Sequence, residues 1–109
     1  MELWKNICHI NDILPYSGVA TLIQQEQVAI FRAESNSEVY AISNYDPFSK
    51  AYVLSRGLVG DRNGTLKVAS PIYKQNFDLK TGRCLDDENV VLSTWQARVV
   101  DGIVQIKIS

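Results

Sequence analysis

Residues 97–108, with the sequence ARVVDGIVQIKI, carry the clearest structural signal in the chain. Apolar and polar side chains alternate from Val104 to Ile108, which is the period of two expected of a strand that buries one face. Asp101 and Gly102 separate this run from the apolar run before it. They favour a two-residue type I′ turn, because both central residues of that turn need positive φ. The segment therefore predicts an antiparallel hairpin.

Similar signals extend back through the chain. Short apolar or alternating runs, rich in β-branched residues, predict further strands over residues 19–23, 28–31, 39–42, 65–68 and 77–79. Polar or glycine-containing turns separate these runs at residues 24–27, 34–37, 63–64 and 81–82.

Helical signals are weak by comparison. No stretch of ten residues has helical periodicity, and only one helical turn is predicted, capped by Asn11 and ended by Pro15. Many short strands with closely spaced turns predict an all-β fold, an antiparallel sandwich or small barrel. The length of 109 residues fits a single domain over residues 1–109.

The composition excludes several classes of protein. No run reaches the ~18 apolar residues of a membrane-spanning helix, and the first residues lack the features of a secretory signal. We therefore expect a cytoplasmic protein. The net charge of −1 argues against nucleic-acid binding. Cys8 and Cys84 are expected to be buried free thiols rather than a disulfide.

The charge is unevenly distributed along the chain. Residues 47–85 hold seven basic residues against two acidic ones, a net +5, whereas the rest of the chain is −6. Such an asymmetry could steer a partner or an anion toward this segment. It is equally compatible with a solvated, loop-rich face, so both interpretations stay open.

Side chains that would support catalysis or metal binding are scarce. His9 is the only histidine, and we expect it to have no partner. Its neighbour Cys8 would point to the opposite face of a strand, so the two do not form a dyad. One histidine and two distant cysteines do not make a four-ligand metal site. The acidic run Asp86-Asp87-Glu88 lacks the spacing of a calcium loop and is expected to cap a turn or face solvent. We therefore expect no catalytic residue and no metal site in this chain.

Two proline-containing loops remain as candidate functional elements. The first, Asn44-Tyr45-Asp46-Pro47-Phe48, follows the predicted strand over residues 39–42. The second, Ala69-Ser70-Pro71-Ile72-Tyr73, follows the predicted strand over residues 65–68, and Leu54-Ser55-Arg56-Gly57 lies between the two loops. Each proline fixes its own φ and keeps the preceding residue out of the helical region. We expect the loops to lie side by side at one tip of the domain.

The order of strand, loop, Ser-Arg-Gly and second loop resembles a Rieske iron–sulfur domain. In that family the first loop contains Cys-Pro-His and the second Cys-Pro-x-His, often followed by Phe-Asp-Leu and a glycine turn. Residues 77–82, FDLKTG, match the last of these features. The resemblance implies a Rieske-like antiparallel β-sandwich or barrel in which residues 44–82 correspond to the cluster-binding part.

The four residues that would hold the cluster differ in this chain. In a Rieske cluster, two cysteines bind one iron and two histidines bind the other. Carried over from the two motifs, the cysteine positions fall on Asp46 and Ser70. The histidine positions fall on Phe48 and Tyr73. The resemblance therefore implies a degenerate tip without a cluster. These residues argue against the alternative of a true Rieske ferredoxin that carries electrons.

The altered loops are similar to one family in particular. AISNxDPF over residues 41–48, LSRGL over 54–58 and ASPxxKQxF over 69–77 resemble the small subunit of bacterial NADH-dependent nitrite reductase. In that family the large subunit carries FAD, an iron–sulfur cluster and siroheme, and it reduces nitrite to ammonium. The resemblance implies an accessory subunit of the assimilatory enzyme, without a cofactor of its own, whose partner is the large catalytic subunit.

Two hypotheses concern the tip itself. Phe48 and Tyr73 would fill the space of the absent cluster. Asp46 and Ser70 would hydrogen-bond to backbone amides, and Arg56 would pair with Asp46 or face the partner. The candidate residues for docking to the large subunit are Pro47, Lys50, Arg56, Pro71 and Lys74. The alternative function is a free-standing β-module that binds a small anion or a peptide on its basic face.

Overall fold

The computed structural model describes residues 2–34 and 38–109, and this part of the chain is built almost entirely from β-strands. The expected turn over residues 34–37 lies largely outside the described residues. The strands are β1 (Trp4–His9), β2 (Ser17–Ile23), β3 (Glu26–Arg32), β4 (Val39–Ser43), β5 (Tyr45–Asp46), β6 (Ala51–Tyr52), β7 (Leu58–Arg62), β8 (Thr65–Ala69), β9 (Asn76–Asp78), β10 (Thr94–Trp95), β11 (Ala97–Val100) and β12 (Ile103–Lys107). Two single turns of 3₁₀ helix lie at Ile10–Asp12 and Leu54–Arg56. None of these short turns approaches the length of a membrane-spanning helix.

One antiparallel sheet, ordered β10-β4-β3-β2, lies at the centre of the fold and is packed on both faces. Because side chains alternate along a strand, β3 supplies two cores. Ile30 belongs to the core shared with the sheet β1-β12-β11, which includes Ile106. Phe31 belongs to the second core, with Leu54 and Phe77, beneath the sheet β7-β8-β9 and the proline loops. The predicted all-β antiparallel fold is confirmed.

The two glycine hairpins have the geometry that their sequences predict. Asn63 and Gly64 have φ values of 53° and 86°, and they join β7 to β8. Asp101 and Gly102 have φ values of 50° and 79°, and they join β11 to β12. Positive φ at both central residues is the signature of the type I′ turn.

The turn between β2 and β3 is shorter than predicted. Only Gln24 and Gln25 form it, with φ values of 47° and 73°, and Ile23 pairs directly with Glu26. The predicted turn over residues 24–27 therefore extends two residues too far. A two-residue turn matches the twist of the flanking strands, so polar residues that follow it can still pair in the sheet.

The first part of the chain differs from prediction in two ways. The strand β1 was not predicted, because a bulge between Asn6 and Cys8 interrupts its alternation. The helical turn is present, but His9 caps it instead of Asn11. Its Nδ1 accepts the Asn11 N–H at 3.1 Å, and its own N–H donates to Asp12 Oδ2 at 3.1 Å. His9 therefore has a local structural role that the sequence did not suggest.

The two cysteines are free thiols in different environments. Cys84 is buried, as expected, whereas Cys8 is only half-buried. Partial burial, together with the charge of Asp12, raises the pKa of the Cys8 thiol.

Gly57 determines how closely the second 3₁₀ turn approaches strand β8. Its φ of −75° is open to any residue, so the constraint is space rather than conformation. A Cβ at this position would lie 2.3 Å from the Ala69 carbonyl oxygen and 2.7 Å from a methyl group of Val68. The glycine of the Ser-Arg-Gly segment is therefore required for close packing of backbone against backbone.

We predict that Gly57→Ala lowers the free energy of unfolding by about 1–3 kcal/mol, the usual cost of inserting a methyl group into a packed site. Gly60→Ala is the matched control, since a Cβ there meets only the Lys67 side chain, at 3.6 Å. Loss of glycine flexibility should make this control about 0.5 kcal/mol more stable. Urea denaturation measures both values, and equal stability of the two variants would contradict the packing role of Gly57.

Candidate functional site

The two proline loops lie together at one end of the molecule, as the sequence predicts. The first connects β4 to β6, and the second connects β8 to β9. A hydrogen bond from Ser70 to Asp46 joins them, and Gly57 packs against Ala69 beside the second loop. We call residues 46–50, 56–58 and 70–75 the tip.

Asn44 anchors the start of the first loop. It is only 2% exposed, its side-chain N–H donates to Gln27 Oε1 at 3.1 Å, and its Oδ1 accepts the Ser55 N–H at 2.7 Å. Its backbone N–H donates to the Gln27 carbonyl, and its carbonyl accepts the Leu54 N–H. The loop is thereby tied to β3 and to the second 3₁₀ turn. Sequence analysis did not single out Asn44, although an asparagine directly after an apolar strand is a signal for such an anchor.

Asp46 is the centre of the hydrogen-bond network of the tip. It is fully buried, and its carboxylate accepts three donors. The Phe48 N–H donates at 2.9 Å, the Ser49 hydroxyl at 2.9 Å and the Ser70 hydroxyl at 2.5 Å. The Asp46 carbonyl also accepts the Lys50 N–H at 2.7 Å. The expectation that Asp46 bonds a nearby amide is confirmed, and the direct bond to Ser70 was not expected.

The carboxyl group of Asp46 is held in its charged form without a cationic partner. Burial alone would raise its pKa, because a charge is costly in a low-dielectric interior. The hydrogen bonds from Ser70, from the Phe48 amide and from Ser49 more than offset this cost, and they hold the pKa of Asp46 below its usual value. The two loops are therefore joined through a charge-assisted hydrogen bond, which is stronger than a neutral one.

The two aromatic residues of the tip have different surroundings. Phe48 is half-buried, with its ring centroid 6.2 Å from that of Phe77, and it packs against the second core. That Phe48 fills the space of the absent cluster stays a prediction, and its packing against the core agrees with it. Tyr73 is 62% exposed, so the prediction that it fills the same space is wrong. The second loop closes on itself through the bond from the Ser70 N–H to the Gln75 carbonyl, and its apex faces solvent.

The basic residues of the tip point into solvent. Arg56 is exposed and has no ion pair with Asp46, so that predicted pair is wrong. Lys50 and Lys74 are exposed and have positive φ values of 59° and 66°, each near the end of its loop. Of the prolines, Pro71 is exposed and Pro47 is half-buried.

An exposed apolar group lies among these cations. Leu58 is 77% exposed, and Ile72 and Tyr73 are 46% and 62% exposed. Leu58 pairs with Ala69 across the ladder of β7 and β8, next to the second loop. Sequence analysis missed this group, because Leu58 and Ile72 give no signal of exposure in a mostly apolar context.

The acidic run after β9 has a structural role, as predicted. Asp86 accepts the Asn76 N–H at 2.8 Å and forms an ion pair with Arg62 at 2.8 Å. The Arg62 hydrogen bond and the Asn76 amide lower the pKa of Asp86. Asp87 accepts the Asn89 N–H and so caps a turn. The ion pair removes Arg62 from the free positive charge of residues 47–85.

Comparison with known proteins supports the resemblance. Residues 3–107 match the family of Rieske-like [2Fe-2S] domains. The chain is 51% identical over 107 residues to the nitrite reductase (NADH) small subunit of Escherichia coli strain K12, and the match covers 98% of this chain and 99% of that protein. The solution structure of the E. coli protein NirD superposes with a TM-score of 0.91 at 51% identity, and covers 98% of this chain and 97% of that one.

A similar sequence also occurs inside a longer protein. The chain is 38% identical over 103 residues to the nitrite reductase [NAD(P)H] large subunit of Klebsiella oxytoca. That match covers 94% of this chain but only 11% of the longer protein.

The side chains at the tip do not fit the cluster that the family description implies. Phe48 has no donor atom for a metal, and the Tyr73 side chain is exposed to solvent. The carboxylate of Asp46 already accepts three hydrogen bonds, one of them directly from Ser70, where two thiolates would have to reach the same iron. Nowhere in residues 2–34 and 38–109 do three His, Cys, Asp or Glu side chains converge closely enough to hold a metal.

We predict that Asp46→Asn lowers the free energy of unfolding by about 2 kcal/mol at neutral pH, because the amide leaves a buried donor unsatisfied. Since the pKa of Asp46 is lowered by folding, the advantage of the native protein should be full above its usual value of 3.8 and should shrink as the pH falls below it. Chemical denaturation at a series of pH values measures both effects.

Asp87→Asn is the control, because Asp87 accepts only the local Asn89 amide. It should cost well under about 1 kcal/mol. A constant difference between the native protein and Asp46→Asn down to pH ~2.5 would show that the Asp46 carboxylate does not carry the stabilisation.

Proposed function

Since this chain belongs to the family of Rieske-like [2Fe-2S] domains, and within it to the small subunits of NADH nitrite reductase, we propose that it is a non-redox accessory subunit of that enzyme. In this role it stabilises or positions the large catalytic subunit during the assimilatory reduction of nitrite to ammonium in the cytoplasm. FAD, the iron–sulfur cluster and siroheme belong to the large subunit in this proposal.

The observation that carries the non-redox part of the proposal is the hydrogen bond between Asp46 and Ser70. These residues occupy the positions of the two cysteines, and their side chains bond to each other directly. The fixed contact performs the structural task of the cluster, which is to hold the loops together. It provides no electron-accepting centre, so the chain contributes shape and charge rather than electron transfer.

The tip is the surface that we propose for docking. Its exposed apolar side chains are those of Leu58, Ile72 and Tyr73, and its exposed cations are Lys50, Arg56 and Lys74. Asp46 is the only acidic residue between positions 44 and 60, and it is buried. Interfaces commonly combine an apolar centre with a polar rim. The complementary surface on the large subunit is therefore apolar with an acidic border.

The rigidity of the tip favours this use. Asp46 accepts donors from both loops, and Asn44 fixes the first loop to β3 and to the second 3₁₀ turn. A surface that is already ordered loses little conformational entropy on binding. The prolines at positions 47 and 71 further restrict the loops that present the cations.

The K. oxytoca large subunit suggests the stoichiometry. Because a sequence similar to almost this whole chain is part of that single polypeptide, one copy accompanies each large chain there. We propose the same ratio of one small chain to one large chain here. Separate small subunits would then occupy the place that the covalently linked sequence has in that protein.

We predict that the purified small chain is colourless, with far less than one iron and one sulfide per chain, because the side chains at the four ligand positions do not fit a cluster. A Rieske ferredoxin expressed in the same cells is the control for cluster supply. Iron and sulfide analysis with visible absorption provides the measurement. A red-brown chain with two irons and two sulfides would overturn the non-redox assignment.

We predict that combining Lys50→Ala, Arg56→Ala and Lys74→Ala weakens binding to the large subunit about tenfold at ~0.15 M salt, from about 0.5 kcal/mol for each exposed charge. The difference should shrink at ~1 M salt, where such charges are screened. Titration calorimetry or co-purification with the large subunit provides the measurement.

The matched control combines Lys67→Ala, Lys80→Ala and Arg83→Ala, which removes the same charge from the same basic segment outside the tip. It should bind nearly as well as the native chain. If the tip variant binds as tightly as the control, the tip is not the docking surface. Binding of nitrite or a peptide by the small chain, with no affinity for the large subunit, would instead favour a free-standing module.

A further inference from the structure

The strand β2 leaves one edge of the central sheet open. In the order β10-β4-β3-β2 it is the last strand, and β3 is its only partner in that sheet. The ladder between them runs without interruption from Ser17 opposite Arg32 to Ile23 opposite Glu26. In the described residues no other strand pairs with the opposite edge of β2, where Ala20 and Leu22 are exposed. Near Gly18, which is half-buried, the second 3₁₀ turn packs on the strand, since a Cβ there would lie 2.9 Å from the Ser55 carbonyl oxygen.

The register identifies the groups that face outward. Ile23 and Glu26 flank a two-residue turn, so they exchange hydrogen bonds, and by the alternation of an antiparallel ladder Thr21 and Val19 do the same with Val28 and Ile30. The amide and carbonyl groups of Gly18, Ala20 and Leu22 consequently point away from β3. A side-chain contact agrees with this assignment of outward groups, since the Lys5 ammonium donates to the outward Leu22 carbonyl at 3.4 Å.

This edge lacks the features that normally prevent strand pairing. The seven residues of β2, SGVATLI, contain no charge and no proline, and the ladder has no bulge. By contrast, the outer strand β7 of the third sheet carries Asp61 and Arg62. Protein edges are usually protected by charges, prolines or bulges, and an unprotected edge is a template for another strand. Lys5 lies at the edge of β2, near its final residues.

A groove of mixed polarity, with two aromatic rings, adjoins the same edge. Leu22 and Tyr52 are 57% and 55% exposed, and the Tyr52 ring lies 5.0 Å from that of Tyr45. These three side chains line one cavity between the end of β2 and the first proline loop. The rest of its lining is polar: Gln25, Glu26, Gln27, Ser43 and Ser93. The groove therefore runs from the end of β2 to Tyr45 and Tyr52 at the base of the β5–β6 hairpin, whose apex belongs to the tip.

We propose that the edge of β2 binds an extended segment of the large subunit, which adds a fifth strand to the central sheet. Backbone donors and acceptors in a row recognise another polypeptide backbone, which excludes a lipid or a small anion as the occupant. An apolar side chain of the segment occupies the groove at Leu22, Tyr45 and Tyr52, and an acidic side chain pairs with Lys5. The identity of the partner rests on the proposed function, because the groove ends at the β5–β6 hairpin, whose apex is part of the docking tip.

Hydrogen exchange of single amides tests the strand addition directly. In the free small chain, the amides of Gly18, Ala20 and Leu22 should exchange rapidly, whereas those of Val19 and Thr21 should be protected by β3. In the complex with the large subunit, the first three should slow by at least ~100-fold, with little change in the other two. A complex in which the three outward amides stay rapid overturns the added strand and leaves the accessory role intact.

A proline substitution provides the second test. Ala20→Pro removes an outward amide without touching the bonds to β3, since edge positions tolerate proline. It should weaken binding to the large subunit at least ~10-fold, by removing one interstrand bond and crowding the added strand. Asp61→Pro removes an outward amide from β7 and is the matched control, with affinity expected within about twofold of native. Equal affinity of the two variants overturns the proposal, provided that circular dichroism shows both folded.

Two further outcomes have defined meanings. If the small chain alone forms dimers in which the Gly18, Ala20 and Leu22 amides are already slow, the occupant is a second copy, and the assignment to the large subunit is wrong. If no complex with the large subunit forms at all, even with the native chain, the proposed function itself fails.

Discussion

The tip depends on one buried carboxylate that has no cation beside it. Asp46 can remain charged in the interior only because three donors, from Phe48, Ser49 and Ser70, satisfy it together. One donor, Ser70, comes from the second loop. The hydrogen bonds that stabilise the buried charge therefore also join the two loops. Removing a donor destabilises the carboxylate and, with it, the bond that joins the loops. A network of this kind stabilises a single loop geometry only when all of its members are satisfied.

The four altered ligand positions have three different surroundings. Asp46 and Ser70 converge and hold the loops, whereas Phe48 turns inward to the second core and Tyr73 outward to solvent. A symmetric replacement by two buried aromatics would have filled the space but left neither ring exposed on these two loops. The divergence explains how the same two loops can be structurally closed and still present an exposed aromatic side chain.

The sequence predicted those features that depend on neighbouring residues. Asn63-Gly64 and Asp101-Gly102 determine their turns through local φ preferences, and both hairpins were predicted correctly. Features that depend on distant residues were missed or wrong. The bond between Asp46 and Ser70 spans 24 positions, and the exposure of Tyr73 follows from how the second loop closes. The strands β5 and β6 are two residues each, too short to show alternation.

The two contacts that we propose, at the tip and at the edge of β2, lie on one side of the molecule. The opposite side has a different role. Ala20 and Leu22 share a face of the central sheet with Phe31, the face that also carries the second core and the tip. On the outer face of the sheet β1-β12-β11, polar side chains bond to one another, as Arg98 bonds Gln105 and stacks on Trp4 at 3.8 Å. Side chains that already pair with each other gain little from a partner. The sheet β1-β12-β11 therefore acts as a scaffold on which β3 packs. Through β3 it positions both the open edge of β2 and the proline loops.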